Sequence, residues 1–166
     1  MTLKELLFSA LSKADEEPGD DIIDQVALDA VNHGYKIVAT TVDKQIDAVE
    51  LNYADKIMLP DNFHSVVRLK CNGVQLSNND FYISGSYLFI TNKDFMEDTY
   101  KFDLLYVYYP NDMVDETDVP ITRDSFNYLI IMYGAYNVLL YKKRYNMASM
   151  LFNEFMSMVG GDRVEL

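Results

Sequence analysis

Few side chains in this sequence belong to the types that perform catalysis at neutral pH. Its histidines are His33 and His64, and its single cysteine is Cys71. A histidine exchanges protons near pH 7 and can activate a thiol as a nucleophile. Neither histidine stands in a motif that pairs it with a nucleophile, although sequence separation alone does not exclude a dyad of His64 and Cys71. Cys71 has the position of an inward-facing strand residue, and buried thiols are usually inert.

Motifs for metal, phosphate or acyl-transfer chemistry are missing from the sequence. It contains no phosphate-binding glycine loop, nucleophile elbow, HExxH or CxxC pattern. The carboxylates Asp112, Asp115, Glu116 and Asp118 resemble a calcium loop only in their acidity, because the spacing and central glycine of an EF-hand are missing. We therefore expect no enzymatic activity, no bound metal and no cofactor.

The composition is that of a globular chain with a large acidic excess. The 166 residues include 26 acidic and 14 basic side chains, a net charge of −12, and 49% are hydrophobic. This length supports one domain or two small ones, and the charge argues against binding nucleic acid through its phosphates. The acidity serves either solubility or the repulsion of DNA that passes nearby. We expect no membrane span, no signal peptide and, with one cysteine, a reducing compartment.

Helical periodicity predicts two helices within residues 1–47. Thr2 and Glu5 have the spacing of a capping box at the start of the first helix, and an Asp-Asp pair opens the second. Apolar residues at 3.6-residue spacing over 22–46 predict about seven turns. Gly34 interrupts this pattern and Thr40-Thr41 weaken it, which allows a kink.

Strand periodicity predicts a β insertion over residues 48–110. Pro60 presets a turn, and Asn72-Gly73 is a strong hairpin signal because both residues tolerate positive φ. A second hairpin is expected around Gly85, and a long strand closes the segment. We expect these strands to form one antiparallel sheet.

The remaining chain predicts an acidic crossover loop and two more helices. The loop covers 111–122 and ends at Thr122, which is positioned to cap a helix pair over 123–159; the tail 160–166 is expected to be flexible. The predicted fold is therefore α+β, a helical bundle made by 1–47 and 123–159 with a small inserted antiparallel β-sheet domain.

Both C-terminal helices are apolar around most of their circumference. Such a helix must be covered on all sides, either by its own chain or by a neighbouring subunit. A basic cluster between the two helices either compensates the helix dipole or forms ion pairs with an acidic neighbour. The candidate inter-subunit contacts are Lys142, Lys143, Arg144, Phe152, Phe155 and Met156. The candidate docking residues of the tail are Gly160, Gly161, Arg163, Val164 and Leu166.

Five segments follow one another in an informative order. They are "MLPDNFHSVVRLKCNG", "DFYISGSYLFI", "LLYVYYP", "NDMVDETDVP" and "LIIMYGAYNVLLYKKRYNMASMLFNEFMS". In this order they resemble the head–tail connector proteins of tailed bacteriophages, also called adaptor or head-completion proteins, and are most similar to the tail tubular A type of short-tailed phages. The resemblance extends from about Leu3 to Met158.

The resemblance implies a structural virion protein without enzymatic activity. Members assemble as a dodecameric ring below the portal in the host cytoplasm, connect head to tail, seal the head and extend the channel through which genomic DNA passes without tight binding. It implies the portal and other tail or neck components as partners, and a C-terminal tail that docks on the portal or on an adjacent subunit. Two other readings are a small α+β hydrolase that uses His64 or Cys71, and a soluble ligand-binding module for peptide or glycan that uses some of the thirteen tyrosines.

Overall fold

The computed structural model describes residues 1–161 and has an α+β fold with two compact units. One unit comprises residues 1–44 together with the chain from residue 110 onward, and the other comprises Gln45–Tyr109. The bounds predicted from the sequence for this β insertion were 48–110. The first unit is helical and the second contains every strand of the described chain.

Four helices build the helical unit. They are α1 (Leu3–Lys13), α2 (Asp21–Ile37), α3 (Asn127–Tyr141) and α4 (Tyr145–Gly161). Helix α3 packs against each of the other three. Most of its apolar circumference is therefore covered by its own chain: Leu129, Ile130, Val138 and Leu139 are each completely buried, whereas Tyr128 and Tyr141 stay 44% and 49% exposed.

The two N-terminal helices begin at the predicted capping residues. The Thr2 side chain accepts from the backbone N–H of Glu5 at 3.3 Å, and the Glu5 carboxylate accepts from the N–H of Thr2 at 2.8 Å. Asp20 accepts from the N–H groups of Ile22 and Ile23. Because each bond joins residues at most three apart, the sequence was sufficient to predict both caps.

The prediction of a seven-turn second helix is wrong. Helix α2 ends at Ile37, the chain continues as one π-helical segment over Val38–Val42, and Ile46 already belongs to a strand. The hydroxyls of Thr40 and Thr41 donate to main-chain carbonyls at 2.8 and 2.6 Å. Such bonds compete with the α-helical ladder and favour a local change of helix type.

The predicted limits of the C-terminal helices also change. Thr122 caps nothing, since its buried hydroxyl has no hydrogen-bond partner among the described residues; a 3-10 turn over Asp124–Phe126 leads into α3 instead. Helix α4 includes Gly160 and Gly161, so the predicted end of the helix pair at residue 159 is wrong.

Two glycines allow the bundle helices to approach closely. A Cβ on Gly134 would lie 2.9 Å from the side chains of both Ala10 and Val31, and a Cβ on Gly34 would lie 2.9 Å from Cβ of Tyr133. Contacts this short require the helices to separate. Gly34 is therefore a packing residue inside α2, and the change of helix type falls at Thr40 and Thr41, the other weak point of the predicted helix.

The second unit contains two antiparallel sheets, so the prediction of one sheet is wrong. The first sheet has the strand order β1-β7-β3-β4 and the second has the order β2-β6-β5. The turn at Pro60 redirects the chain between β2 and β3, because proline fixes φ and offers no ladder N–H. The strands are β1 (Ile46–Asn52), β2 (Ile57–Met58), β3 (Phe63–Cys71), β4 (Val74–Gln75), β5 (Phe81–Ser84), β6 (Tyr87–Ile90) and β7 (Lys101–Tyr108).

Both predicted hairpins are confirmed. Asn72 and Gly73 connect β3 to β4 with φ of 46° and 85°, and Gly85 turns between β5 and β6 with φ of 57°. Side chains from both sheets share one core, in which Leu88 and Phe102 are completely buried.

Replacing Gly134 by valine should destabilise the protein by about 1–3 kcal/mol more than replacing Gly160 by valine. Both glycines are helical, and valine is a somewhat better helix former than glycine at either position, but no heavy atom lies within 4 Å of a Cβ on Gly160. Denaturant unfolding of both variants measures the difference. Equal unfolding midpoints would show that Gly134 does not set the helix separation.

Replacing Gly73 by valine should cost about 1 kcal/mol or more, because a β-branched residue is strained at positive φ. A Cβ at this position meets nothing within 4 Å, so conformational strain is the only expected penalty. Gly73→Asn is the matched control, since asparagine tolerates the left-handed region. An unchanged melting temperature in the valine variant contradicts the assigned turn.

Candidate functional site

The predicted basic cluster pairs with acidic residues of its own chain. Lys142 Nζ lies 3.3 Å from the Glu16 carboxylate, and Arg144 reaches Asp15 and Glu16 at 3.5 Å each. Arg144 also donates to the main-chain carbonyl of Ala14 at 3.3 Å. For Lys142 and Arg144, the expected acidic neighbour is therefore the turn between α1 and α2 of the same chain. Lys143, with φ of 60°, forms no ion pair among residues 1–161.

The three apolar candidates on α4 differ in exposure. Phe155 is 2% exposed and its ring lies 5.2 Å from that of Tyr133, so it belongs to the bundle core and is not available on the surface. Phe152 is half-buried and stacks on Tyr136 at 4.9 Å. Met156 is 49% exposed. Of these three, Met156 is therefore the side chain most available to a neighbouring molecule.

The candidate tail falls mostly beyond the described chain. Gly160 and Gly161 form the end of α4, while Arg163, Val164 and Leu166 lie outside the described residues. The proposed docking role of this tail stays a prediction.

His64 and Cys71 do not form a catalytic dyad. Both lie on β3, seven positions apart, a separation on the order of 20 Å along an extended strand. The His64 ring contacts Tyr109 and the hydroxyl of Ser65. Burial raises the pKa of the Cys71 thiol, which disfavours the reactive thiolate at neutral pH.

His33 also lacks a nucleophile as a neighbour. Its exposed ring stacks on Tyr133 with ring centroids 5.3 Å apart. Cysteine is absent from this unit, and no hydroxyl hydrogen bond to His33 occurs within residues 1–161. The ring therefore packs over a half-buried tyrosine of α3.

Three of the four crossover carboxylates have structural partners. Asp112 pairs with Lys36 and Glu116 with Lys4, each at 2.7 Å. One oxygen of Asp118 accepts from the N–H groups of Val114 and Asp115, and these bonds lower the pKa of Asp118. Within the described part of the chain, no three histidine, cysteine or acidic side chains converge as metal ligands.

The crossover is also fixed to the helices through its main chain. The buried Asn32 side chain donates to the carbonyl of Met113 at 3.0 Å and accepts from its N–H at 2.8 Å. The carbonyl of Asp118 accepts from the N–H of Leu3, a donor at the start of α1 that has no partner within the helix. The acidic crossover is therefore held to the helices by specific hydrogen bonds, while most of its residues are exposed to solvent.

A surface that the sequence reading missed lies on the smaller sheet, and we call it the aromatic face. Met58 is paired with Tyr87, and Tyr82 with Phe89, on one side of this sheet. Met58 is 64% and Tyr82 52% exposed, and the Tyr82 and Phe89 rings stack at 4.9 Å. Consecutive apolar residues in β5 and β6 were the available signal, because they place apolar side chains on both faces of the hairpin.

Strand β5 adds an unpaired edge to the aromatic face. It is the last strand of its sheet, and its outer main-chain groups bond to no other described segment. Exposed apolar edges of this kind are usually protected by charges or covered by a partner. The edge strand β1 shows such protection, since the Asp47 carboxylate accepts from the N–H of Ala48.

At pH 7, Asp118→Asn should be less stable than the parent protein, and the difference should shrink on acidification. A carboxyl whose pKa is lowered in the folded state stabilises that state above its unfolded pKa, which is about 4. This contribution is lost as the pH falls from about 4 through the lowered folded value. Thermal unfolding across this range measures the trend.

Asp115→Asn is the matched control, because this loop carboxylate has no hydrogen bond or ion pair of its side chain within residues 1–161. It should show a small difference without the pH trend. Parallel pH profiles for the two variants would contradict the capping role of Asp118.

No helix in the described chain is long and apolar enough to cross a bilayer. A comparison with known proteins identifies no relative: no protein-family model matches the sequence, and no curated protein matches it.

Proposed function

We propose that this protein is a structural component of the neck of a tailed bacteriophage, where copies form a ring below the portal that joins head to tail. The ring, dodecameric in the family that the sequence resembles, seals the head and extends the channel for DNA ejection. The protein is assembled in the host cytoplasm and resides in the virion. It acts without catalysis and without a cofactor.

The observation that carries this proposal is the order of the elements. Two helices from the start of the chain and two from its end pack as one unit, while a separate β unit is inserted between them. The resemblance in the five sequence segments implies this same order. In the proposed ring, the helical units supply the wall and the β units face the next component of the neck.

The exposed surfaces support a role in assembly. Met156 on α4, the aromatic face and the free edge of β5 all present apolar or unpaired groups to solvent. Ring formation requires two different surfaces on each copy that fit one another. Because Phe155, Lys142 and Arg144 are used within the chain, we assign the inter-subunit contact to Met156, Phe152 and Lys143.

The acidic charge fits a channel through which DNA moves. A net charge of −12 repels phosphates at short range, so DNA can pass without being held. The proposed partners are the portal on one side and a tail or neck component on the other.

A ligand-binding module is the second candidate, and the aromatic face favours it. Exposed aromatic rings on a small sheet can stack on a sugar or on an apolar side chain. The hydrolase alternative has no comparable support, since His64 and Cys71 lie at opposite ends of one strand.

The assembly test mixes the purified protein with the portal protein encoded in the same genome. We expect a monomer of 19.1 kDa alone and a ring on the portal after mixing, measured by light scattering and electron microscopy. A monomer or dimer that ignores the portal would contradict the proposal and favour the binding module.

Truncation after Val159 tests the proposed docking tail in the same assay. If the tail is the anchor, the shortened chain folds but stays off portal-bearing heads. The control is Met156→Ser in the full-length chain, which should weaken contacts between copies and leave the tail intact. A truncated chain that joins heads as well as the intact one shows that the tail is dispensable.

A further inference from the structure

A groove in the helical unit, here called the α1–α2 groove, has apolar walls. Its cavity of about 250 Å³ is open to solvent and lies beside α1, the start of α2 and the crossover. Leu7, Phe8, Leu11 and Pro18 line it, and Phe8 is 48% exposed. The space is large enough for one or two bulky side chains but too small for a folded element.

A carboxylate without a cationic partner lies at the edge of this groove. One oxygen of Asp24 accepts from the N–H of Gly19 at 2.9 Å, and the other is buried without a hydrogen-bond partner in the described chain. No basic side chain among residues 1–161 pairs with Asp24. By contrast, Glu116, which also lines the groove, forms an ion pair with Lys4 at 2.7 Å.

The charge around the groove is negative on a scale larger than Asp24. The turn that leads into α2 also carries Glu17, Asp20 and Asp21, and none of them forms an ion pair in the described residues. These three carboxylates do not line the groove, whose charged lining residues are Lys4, Asp24 and Glu116, but with the net charge of −12 they make its surroundings negative. An occupant with a positive charge gains from this field, whereas an acidic one is repelled.

We propose that the α1–α2 groove binds a segment of a partner protein in which a basic residue stands next to a bulky apolar one. The apolar side chain enters the cavity against Phe8 and Leu11, and the basic side chain lies beside Asp24. Because Asp24 Oδ1 is buried, a direct ion pair requires the Asp24 side chain to turn towards the groove. Apolar burial supplies the affinity, and the charge supplies specificity and a faster encounter.

Charge complementarity distinguishes this occupant from a second copy of the chain. Each copy carries a net charge of −12, and the tail 162–166 contains two acidic residues and one basic residue. The carboxylates at the groove therefore disfavour the acidic tail of a second copy as its occupant, whereas association of copies through other surfaces is not affected. The inference goes beyond the ring proposal and does not depend on it.

The test uses the full-length, ¹⁵N-labelled protein and three synthetic peptides. The probe is acetyl-Gly-Arg-Leu-Phe-Arg-Gly-amide, the charge control replaces both arginines by glutamate, and the third peptide has the sequence of residues 159–166. We expect the basic probe to shift amide signals around Phe8 and Asp24 and the glutamate peptide to leave them unchanged. Raising the salt concentration from 20 to 300 mM should weaken probe binding several-fold.

Two matched pairs of variants locate the contact. Asp24→Asn should weaken probe binding roughly fivefold, whereas Asp29→Asn removes an equal charge from the exposed part of α2 and should not. Phe8→Ser should abolish binding, whereas Tyr128→Ser removes a similarly exposed ring, 44% against 48%, and should not. The amide spectrum of each variant also reports whether it is folded.

Each alternative outcome overturns the proposal. No shift with the basic probe shows that the groove is not a docking site for such a segment. Equal shifts with the glutamate peptide remove the electrostatic argument, and equal weakening by Asp24→Asn and Asp29→Asn attributes it to net charge. Binding of the 159–166 peptide alone assigns the groove to a second copy. The unmodified protein yields these peptide results even if a variant does not fold.

Discussion

The close approach of α3 to α1 and α2 is the constraint on which the helical unit depends. Gly134 and Gly34 allow it, because any side chain at either position would meet a neighbouring helix at 2.9 Å. Because the helices lie close together, Leu129, Ile130 and Val138 of α3 have no exposed surface. An apolar helix in the centre of a bundle is then stable without a neighbouring subunit. Association of copies, where it occurs, must therefore use other surfaces.

The crossover makes this packing compatible with a large insertion. A chain that leaves the bundle after residue 44 and returns at residue 110 has to restore helix contacts across many intervening residues. Asn32 holds Met113 through two hydrogen bonds, and the hydroxyl of Tyr35 accepts from the N–H of Ile121. These buried polar contacts replace water on the main chain of the loop. The β insertion can thus have a core of its own while the helices of the bundle keep their contacts with one another.

Several basic side chains form ion pairs with carboxylates of the same chain, which affects the charge of the surface. Six of the 14 lysines and arginines form ion pairs within residues 1–161. Among them are Lys142 and Arg144, which pair with acidic residues of the α1–α2 turn. Surface pairs of this kind add little stability. Because acidic residues outnumber basic ones by 12, carboxylates remain in excess after pairing and give the surface a negative field.

Local features could be predicted from the sequence, and long-range ones could not. The caps at Thr2 and Asp20 and the Asn72-Gly73 hairpin follow from bonds or dihedral preferences within a few residues, so the sequence by itself determined them. Tertiary structure alone decided that the strands form two sheets, that Phe155 is buried and that Asp24 lacks a cation. Those outcomes depend on which distant segments meet, and burial or pairing is a property of the assembled neighbours, not of the residue type.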